Sequence, residues 1–223
     1  MDGVAGDMKV QLMGKIRDQI VDSISVKEAL VKGEGHLSVI MEIAKKIIEC
    51  YQVGGKVIFM GNGGSAADSQ HLACEFVSKF QMERRALQSI ALSVNTSILT
   101  AIGNDYDFDR VFARQIEAWA RPEDVVVGIS TSGNSSNVVA AIEKAKEIGA
   151  VTVAFTGEGG GKLAPMVDIC FKTPSVSTPR IQEAHITVGH IICDIVEKAI
   201  FDESFLGGLG ESHDVLPGRS SEE

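Results

Sequence analysis

The sequence contains no apolar run of the ~18 residues that would cross a bilayer, and its first 30 residues carry charges throughout. A membrane-spanning helix and a secretory leader are therefore not expected. Positive charge is short as well. The formal net charge is -9, which disfavours binding of a phosphate polymer through bulk electrostatics. Of that charge, the segment Gly207–Glu223 holds one arginine and four acids, so -6 belongs to the rest of the chain. The four cysteines, Cys50, Cys74, Cys170 and Cys193, include no Cys-x-x-Cys pair, so a zinc knuckle or a thioredoxin motif is not expected. All four have apolar neighbours, so they are expected as small buried hydrophobes in a reducing cytoplasm. Gly-x-Gly-x-x-Gly and Gly-Lys-Ser/Thr are both missing from the glycine-rich loop after the first strand, which disfavours a dinucleotide fold and a Walker loop. No internal repeat or low-complexity tract is present. What remains is 223 residues, 44% hydrophobic and 23% charged. That describes a soluble, cytoplasmic domain with a large core and no nucleic-acid or membrane partner.

The apolar pattern divides the chain into an N-terminal helical arm (1–55), a core (56–201) and a flexible tail (202–223). A helix is expected near Val10–Val31, with Gly33 and Gly35 as a stop. In the next helix Leu37, Ile40, Ile43, Ala44, Ile47, Ile48 and Tyr51 recur at three- and four-residue steps, and Gly54-Gly55 closes it. An arm with such apolar faces either covers a sheet or packs on another subunit. From Lys56 onward, short runs rich in β-branched residues alternate with helical stretches. The runs are Val57–Met60, Ser89–Leu92, Val125–Ile129, Val151–Phe155 and Ile169–Phe171. Lacking alternation, they suit strands covered on both faces. Helices are expected near Ser65–Phe80, Asn95–Trp119, Asn134–Ile148, Gly161–Met166 and Arg180–Phe201. The fold class is α/β: a three-layer αβα sandwich around a five-stranded, mostly parallel sheet. Ligands in such sheets bind at the carboxyl ends of strands, where three polar loops fall: Gly61–Ser65, Ser130–Ser135 and Thr156–Gly161.

Gly61-Asn62-Gly63-Gly64-Ser65 opens a helix. Its glycines let backbone approach an anion, the helix start offers free amides, and Ser65 can cap the helix or donate to a ligand oxygen. A tight turn alone would use the same residues. Ser130-Thr131-Ser132-Gly133-Asn134-Ser135 also opens a helix, and five of its six side chains can hydrogen-bond. A turn needs one or two such groups, so a phosphate monoester is the better explanation, with no lysine or arginine required. His71 and Glu75 stand four apart on one helix face. Gln182, His185 and His190 lie on the last helix. Gln182 and His190 are offset by about 80°, so both can reach a common site. A His-x-x-x-Glu face plus a second histidine can hold a divalent metal or serve as acid and base. By spacing alone a surface pair and a structural His185 serve equally well.

Taken together, the motifs resemble the sugar isomerase (SIS) domain family in its phosphoheptose isomerase branch. The resemblance spans about Leu37–Phe201. It is carried by Gly61–Ser65, His71-x-x-x-Glu75, Gly103-Asn104-Asp105, Ser130–Ser135 and Arg180-Ile181-Gln182-Glu183-Ala184-His185 with His190 beyond. It implies a homotetramer built partly through N-terminal helices, with active sites at subunit contacts. It implies conversion of sedoheptulose 7-phosphate to D-glycero-heptopyranose 7-phosphate, on the way to nucleotide-activated heptose for bacterial surface polysaccharide. By resemblance Asn62, Gly63, Gly64 and Ser65 meet the sugar phosphate, and Ser130, Thr131, Ser132 and Ser135 hold its phosphate. Asn104, Asp105 and Gln182 line the sugar. One zinc ion per site is implied at His71, Glu75, Gln182 and His190. The chemistry needs a group that carries a carbon-bound proton between neighbouring carbons and a second group that manages the oxygens. Glu75 and His190 take these roles, in either order.

Two rivals are a non-catalytic SIS adaptor that binds a replication initiator protein and a pentose-phosphate isomerase. The adaptor type lacks the acid and the last-helix histidine, both present here as Glu75 and His190. The pentose enzymes carry extra domains or a different histidine arrangement. Two departures from the branch are Lys79, where an arginine is common, and Pro179, where an aspartate or alanine precedes the last-helix arginine. Lysine keeps the charge without the bidentate fork.

Overall fold

The computed structural model describes residues 2–207. Two helices come first, α1 (Asp2–Lys32) and α2 (Glu34–Gln52). Gly33 alone separates them, and Gly35, expected to belong to the stop, is already helical. The α2 stripe does cover the sheet: Ile40, Ile43, Ala44, Ile47, Cys50 and Tyr51 are buried within the protomer. At its end the N–H of Gly55 donates to the Cys50 carbonyl and that of Gly54 to Tyr51.

Five strands follow as the apolar runs predict: β1 (Val57–Gly61), β2 (Ser89–Ala91), β3 (Val125–Ile129), β4 (Val151–Thr156) and β5 (Ile169–Lys172). Every pairing is parallel, in the order β2-β1-β3-β4-β5. β1 and β3 are buried along their whole length, which is why they read as continuous apolar runs.

The crossover helices are α3 (Gly64–Val77), α4 (Thr96–Asp105), α5 (Ala113–Trp119), α6 (Ser136–Ile148) and α7 (Thr178–Phe201). Alternate strand residues feed two cores. Val57, Phe59, Val127, Phe155 and Phe171 pack with α2, α3 and α7. Ile58, Met60, Val126 and Ala154 pack with α5, α6 and the inner side of α4. This is the expected three-layer sandwich.

Two helix expectations fail for local reasons. The stretch 95–119 is split into α4, a 3-10 turn (Phe108–Arg110) and α5, because Asp107 is fully extended at φ -164°. Asn104, Asp105 and Asp107 favour side-chain bonds to backbone over helix continuation. Residues 161–166 form turns: Gly160 and Gly161 both have positive φ, and Pro165 lacks an N–H to donate. After α7, a short helix α8 (Glu203–Gly207) precedes residues 208–223, which lie outside the described residues. No described helix is long and apolar enough to cross a membrane.

Candidate active site

In the strand order β2-β1-β3 the chain leaves β1 to one side and β3 to the other. The crevice over the carboxyl ends of β1 and β3 is where such sheets bind ligands. The Gly61–Ser65 and Ser130–Ser135 loops lie there. They are tied together by a reciprocal amide pair: Asn62 donates to Asn137 Oδ1 and Asn137 to Asn62 Oδ1, each at 2.9 Å. Asn137, buried in the first turn of α6, is a site residue that sequence reasoning missed. Its position two residues past the serine cluster was the available signal.

The glycine loop caps α3 with Gly63, not with a side chain. Ser65 does not cap the helix as sequence reasoning allowed. It is the second helical residue, buried, and its N–H donates to the Asn62 carbonyl. The backbone does the capping because Gly63 takes φ +54° and turns the chain into the helix directly.

In the serine loop, Ser130 and Ser135 share a hydroxyl–hydroxyl bond of 2.9 Å, and Ser135 is the N-cap of α6. Ser132 is exposed, Thr131 half-buried, and Ser132 Oγ accepts the Asn134 N–H at 3.2 Å. The third polar loop braces this one. Gly157 donates to the Thr131 carbonyl, Leu163 to that of Gly133, and Lys162 N–H to Asn134 Oδ1. Gly133 has φ +66°, and a Cβ there would fall 2.1 Å from the Gly160 carbonyl oxygen, so only glycine permits the contact.

The second half of the site is the junction of α3 and α7. His71 Nε2 lies 2.9 Å from Glu75 Oε1, one helical turn on. His190 Nε2 lies 3.2 Å from His71 Nε2, although 119 residues separate them. The ligand atoms of all three fall within 4.8 Å of one another, a group that could hold a metal ion. Two facing ring nitrogens cannot both carry protons, so at least one presents a lone pair, as a metal ligand must. The helices come this close because Gly189 has no side chain; a Cβ there would sit 2.5 Å from a Leu72 methyl. The His71 ring is 47% exposed, so the trio opens to the protomer surface. The ring of Phe80 stands 5.5 Å from that of His190.

Gln182, two turns before His190, lies instead on the glycine loop. A Cβ on Gly64 would fall 2.3 Å from its amide nitrogen. Asn104 and Asp105 are at the exposed end of α4, bonded to each other at 2.9 Å, with α4 packed mainly on the 3-10 turn. His185 is structural. It is 1% exposed, sits among Phe155 and Phe171, and its Nε2 bonds the Thr156 carbonyl at 3.0 Å. Burial pushes its pKa down to about 4, against the smaller opposing pull of that carbonyl. The ring is therefore neutral, with the proton on Nε2. Lys79 pairs with Glu83 on the surface, and Pro179 occupies the first turn of α7 as its missing N–H allows. Asp68, one turn before His71, has a buried Oδ2 with no partner among the described residues, and burial raises its pKa.

The SIS domain family model matches residues 25–157. The chain is 53% identical over 188 residues to the phosphoheptose isomerase of Clostridium acetobutylicum, a match covering 84% of this chain and 96% of that protein. It is 53% identical over 191 residues to that of Aneurinibacillus thermoaerophilus, covering 86% and 96%. Among solved structures, the phosphoheptose isomerase of Neisseria gonorrhoeae superposes with a TM-score of 0.79 at 40% identity, over 84% of this chain and 99% of that one.

Proposed function

The chain belongs to the phosphoheptose isomerase branch of the SIS domain family, and from that premise we propose that it converts sedoheptulose 7-phosphate to D-glycero-heptopyranose 7-phosphate. The observation that carries the reading is the meeting of His71, Glu75 and His190 beside two anion-fitted loops. Gly64 opens α3, and His71 lies seven residues, about 10 Å, along it. That span suits a seven-carbon chain whose phosphate and reacting carbons sit at opposite ends.

The phosphate docks on the backbone amides of Asn62, Gly63 and Gly64 and on the hydroxyls of Ser65, Ser130, Thr131, Ser132 and Ser135. Gln182, Asn104 and Asp105 are assigned to the sugar hydroxyls. Glu75 takes a proton from C1 of the ketose. The C–H electrons form the C1–C2 double bond of a cis-enediol, and the C2 oxygen gains a proton. Glu75 returns its proton to C2 while the C1 hydroxyl gives up its own, leaving an aldehyde that closes to the pyranose. His190 relays the oxygen-borne protons.

His71, Glu75 and His190 would hold the zinc ion, whereas Gln182, the fourth ligand expected by resemblance, rests on Gly64 in this protomer. Their ligand atoms all lie within 4.8 Å of one another, His71 Nε2 being 2.9 Å from Glu75 Oε1 and 3.2 Å from His190 Nε2, and the His71, Glu75 and His190 donor set suits a single zinc ion. When bound, zinc supplies Lewis-acid polarisation of the sugar carbonyl.

The assembly we propose is a homotetramer. On α1, Leu12, Ile16, Ile20 and Ile24 recur every four residues, and all are at least 50% exposed. They form an uncovered apolar stripe of the kind another subunit buries. The His71 side of the trio is open in one protomer, which suits a site finished at a subunit contact. We place the enzyme in the cytoplasm, consistent with four free cysteines, of which Cys50 and Cys193 are buried as expected while Cys170 is half-buried and Cys74 exposed.

The deciding experiment is an assay with sedoheptulose 7-phosphate, with zinc content measured before and after chelation. Turnover that falls on chelation and returns with zinc is expected. A well-folded protein without turnover at any zinc level would leave the adaptor reading in its place.

A further inference from the structure

His71 and Glu75 reach His190 only if the end of α3 and the loop after it are fixed against α7. Beyond the direct packing of α3 on α7, a buried ion pair ties that loop to α7. The Arg84 and Glu197 side chains are 1% and 2% exposed, with Nε and Oε1 2.8 Å apart. Glu197 also accepts three consecutive backbone N–H groups, from Phe80 at 2.9 Å, Gln81 at 2.7 Å and Met82 at 2.9 Å. Burial opposes its ionisation, but those amides and the guanidinium together hold its pKa below the usual carboxylate value. Arg84 spends its remaining donors on carbonyls. Nη1 reaches Phe76, Ser78 and Arg85, and Nη2 reaches the carbonyl of Glu75 itself at 2.8 Å. Its face is covered by the ring of Phe201 at 5.6 Å.

Two of these bonds lead straight to the trio. The Glu75 and Phe76 carbonyls are among the last four of α3, which have no partner inside the helix. Arg84 caps them and so fixes the turn from which the Glu75 carboxylate projects. On the other side, Glu197 holds the N–H of Phe80, whose ring packs beside His190. His190 and Glu197 are seven residues apart on α7, nearly in line along one face. A buried pair is weak evidence for stability, because desolvation offsets the attraction. Its bonds here go to the Glu75 carbonyl and to the N–H of Phe80, whose ring lies beside His190.

We propose that Arg84 and Glu197 are positioning residues that set the Glu75 backbone and the Phe80 ring so that Glu75 and His190 converge on His71. This rests on the isomerase reading for its meaning in catalysis, but the geometry can be read without turnover.

The test compares Arg84→Lys, Glu197→Gln and Phe80→Leu with Asp124→Asn. The last breaks a different pair, half-buried Lys56 with buried Asp124 at 2.6 Å, at the opposite ends of β1 and β3. For each variant one measures melting temperature, kcat and KM, zinc affinity by chelator competition, and the NMR shift of the His190 ring proton that Phe80 shields. For Arg84→Lys and Glu197→Gln the expected results are a kcat about 10- to 100-fold lower with KM within about threefold, and zinc bound about 10- to 100-fold more weakly. The His190 resonance should move toward its unfolded position. Asp124→Asn should lower the melting temperature and leave the other readouts unchanged. If the three test variants changed only the melting temperature, the pair would be structural and the proposal overturned. Phe80→Leu, which keeps the pair, covers the case in which neither pair variant folds: an unmoved His190 resonance there would also overturn it. If wild type showed no turnover, the isomerase reading would fail, while the resonance and the zinc affinity would still decide the positioning.

Discussion

The serine loop and the α3–α7 junction are two halves of one candidate site built on opposite plans. The loop's hydroxyls come from six consecutive residues, and its shape is held by nearby backbone bonds to the loop after β4. It needs no charged side chain, since helix amides and hydroxyls suffice for a phosphate. The junction draws its groups from two helices 119 residues apart. It depends on a bare α7 surface at Gly189 and on a buried ion pair. Anion binding can be made locally from backbone. Proton transfer needs two titratable groups converging on a few atoms, and only packing brings them there.

Substitution at the junction should give the largest effect. Glu75→Gln and His190→Gln keep shape but lose the proton-carrying group, and each should lower kcat at least ~100-fold with the fold intact. Near-normal turnover by either purified variant would move the chemistry away from the junction.

His185 joins the two halves, because it carries α7 onto the carbonyl of Thr156 at the head of the bracing loop. In the unfolded chain its ring takes a proton below about pH 6.5, and in the fold only near about 4. The unfolded state binds the extra proton within that window, so stability falls as pH drops through it and is fully present above it. The loss should reach about 3 kcal/mol by pH 4. Urea unfolding at several pH values checks this against His185→Gln, which can still donate but does not titrate. Identical pH slopes for the two proteins would dismiss His185 as the acid-sensitive link.

The smallest effect is expected in the loop. Ser132→Ala removes one hydroxyl among several, so KM for the sugar phosphate should rise about two- to tenfold with kcat little changed. A KM equal to wild type would take Ser132 out of the phosphate nest. A large drop in kcat would mean that the two halves are not separate in function.

The sequence alone determined the strands, the layer order and the loops. Five short β-branched runs read as strands covered on both faces, as β1 and β3 are in full, and loops at their carboxyl ends follow from parallel topology. It erred where a local choice overrode the pattern, as at Asp107 and at Gly160-Gly161. His71 and Glu75 were legible together because a helix places residues four apart on one face. A second histidine from the last helix could be added to them from residue types, but spacing on one helix says nothing about another, so only the family resemblance singled out His190. Glu197 lies buried amid the apolar stripe of Cys193, Val196 and Ile200, and sequence reasoning did not single it out. Tertiary structure decided the rest: that Arg84 is its partner, that Asn62 pairs with Asn137, that Gln182 rests on Gly64, and that α1, not α2, leaves its apolar stripe uncovered. Each of these depends on which helix faces meet across the sheet, a matter of distance in space that the order of residues along the chain does not encode locally.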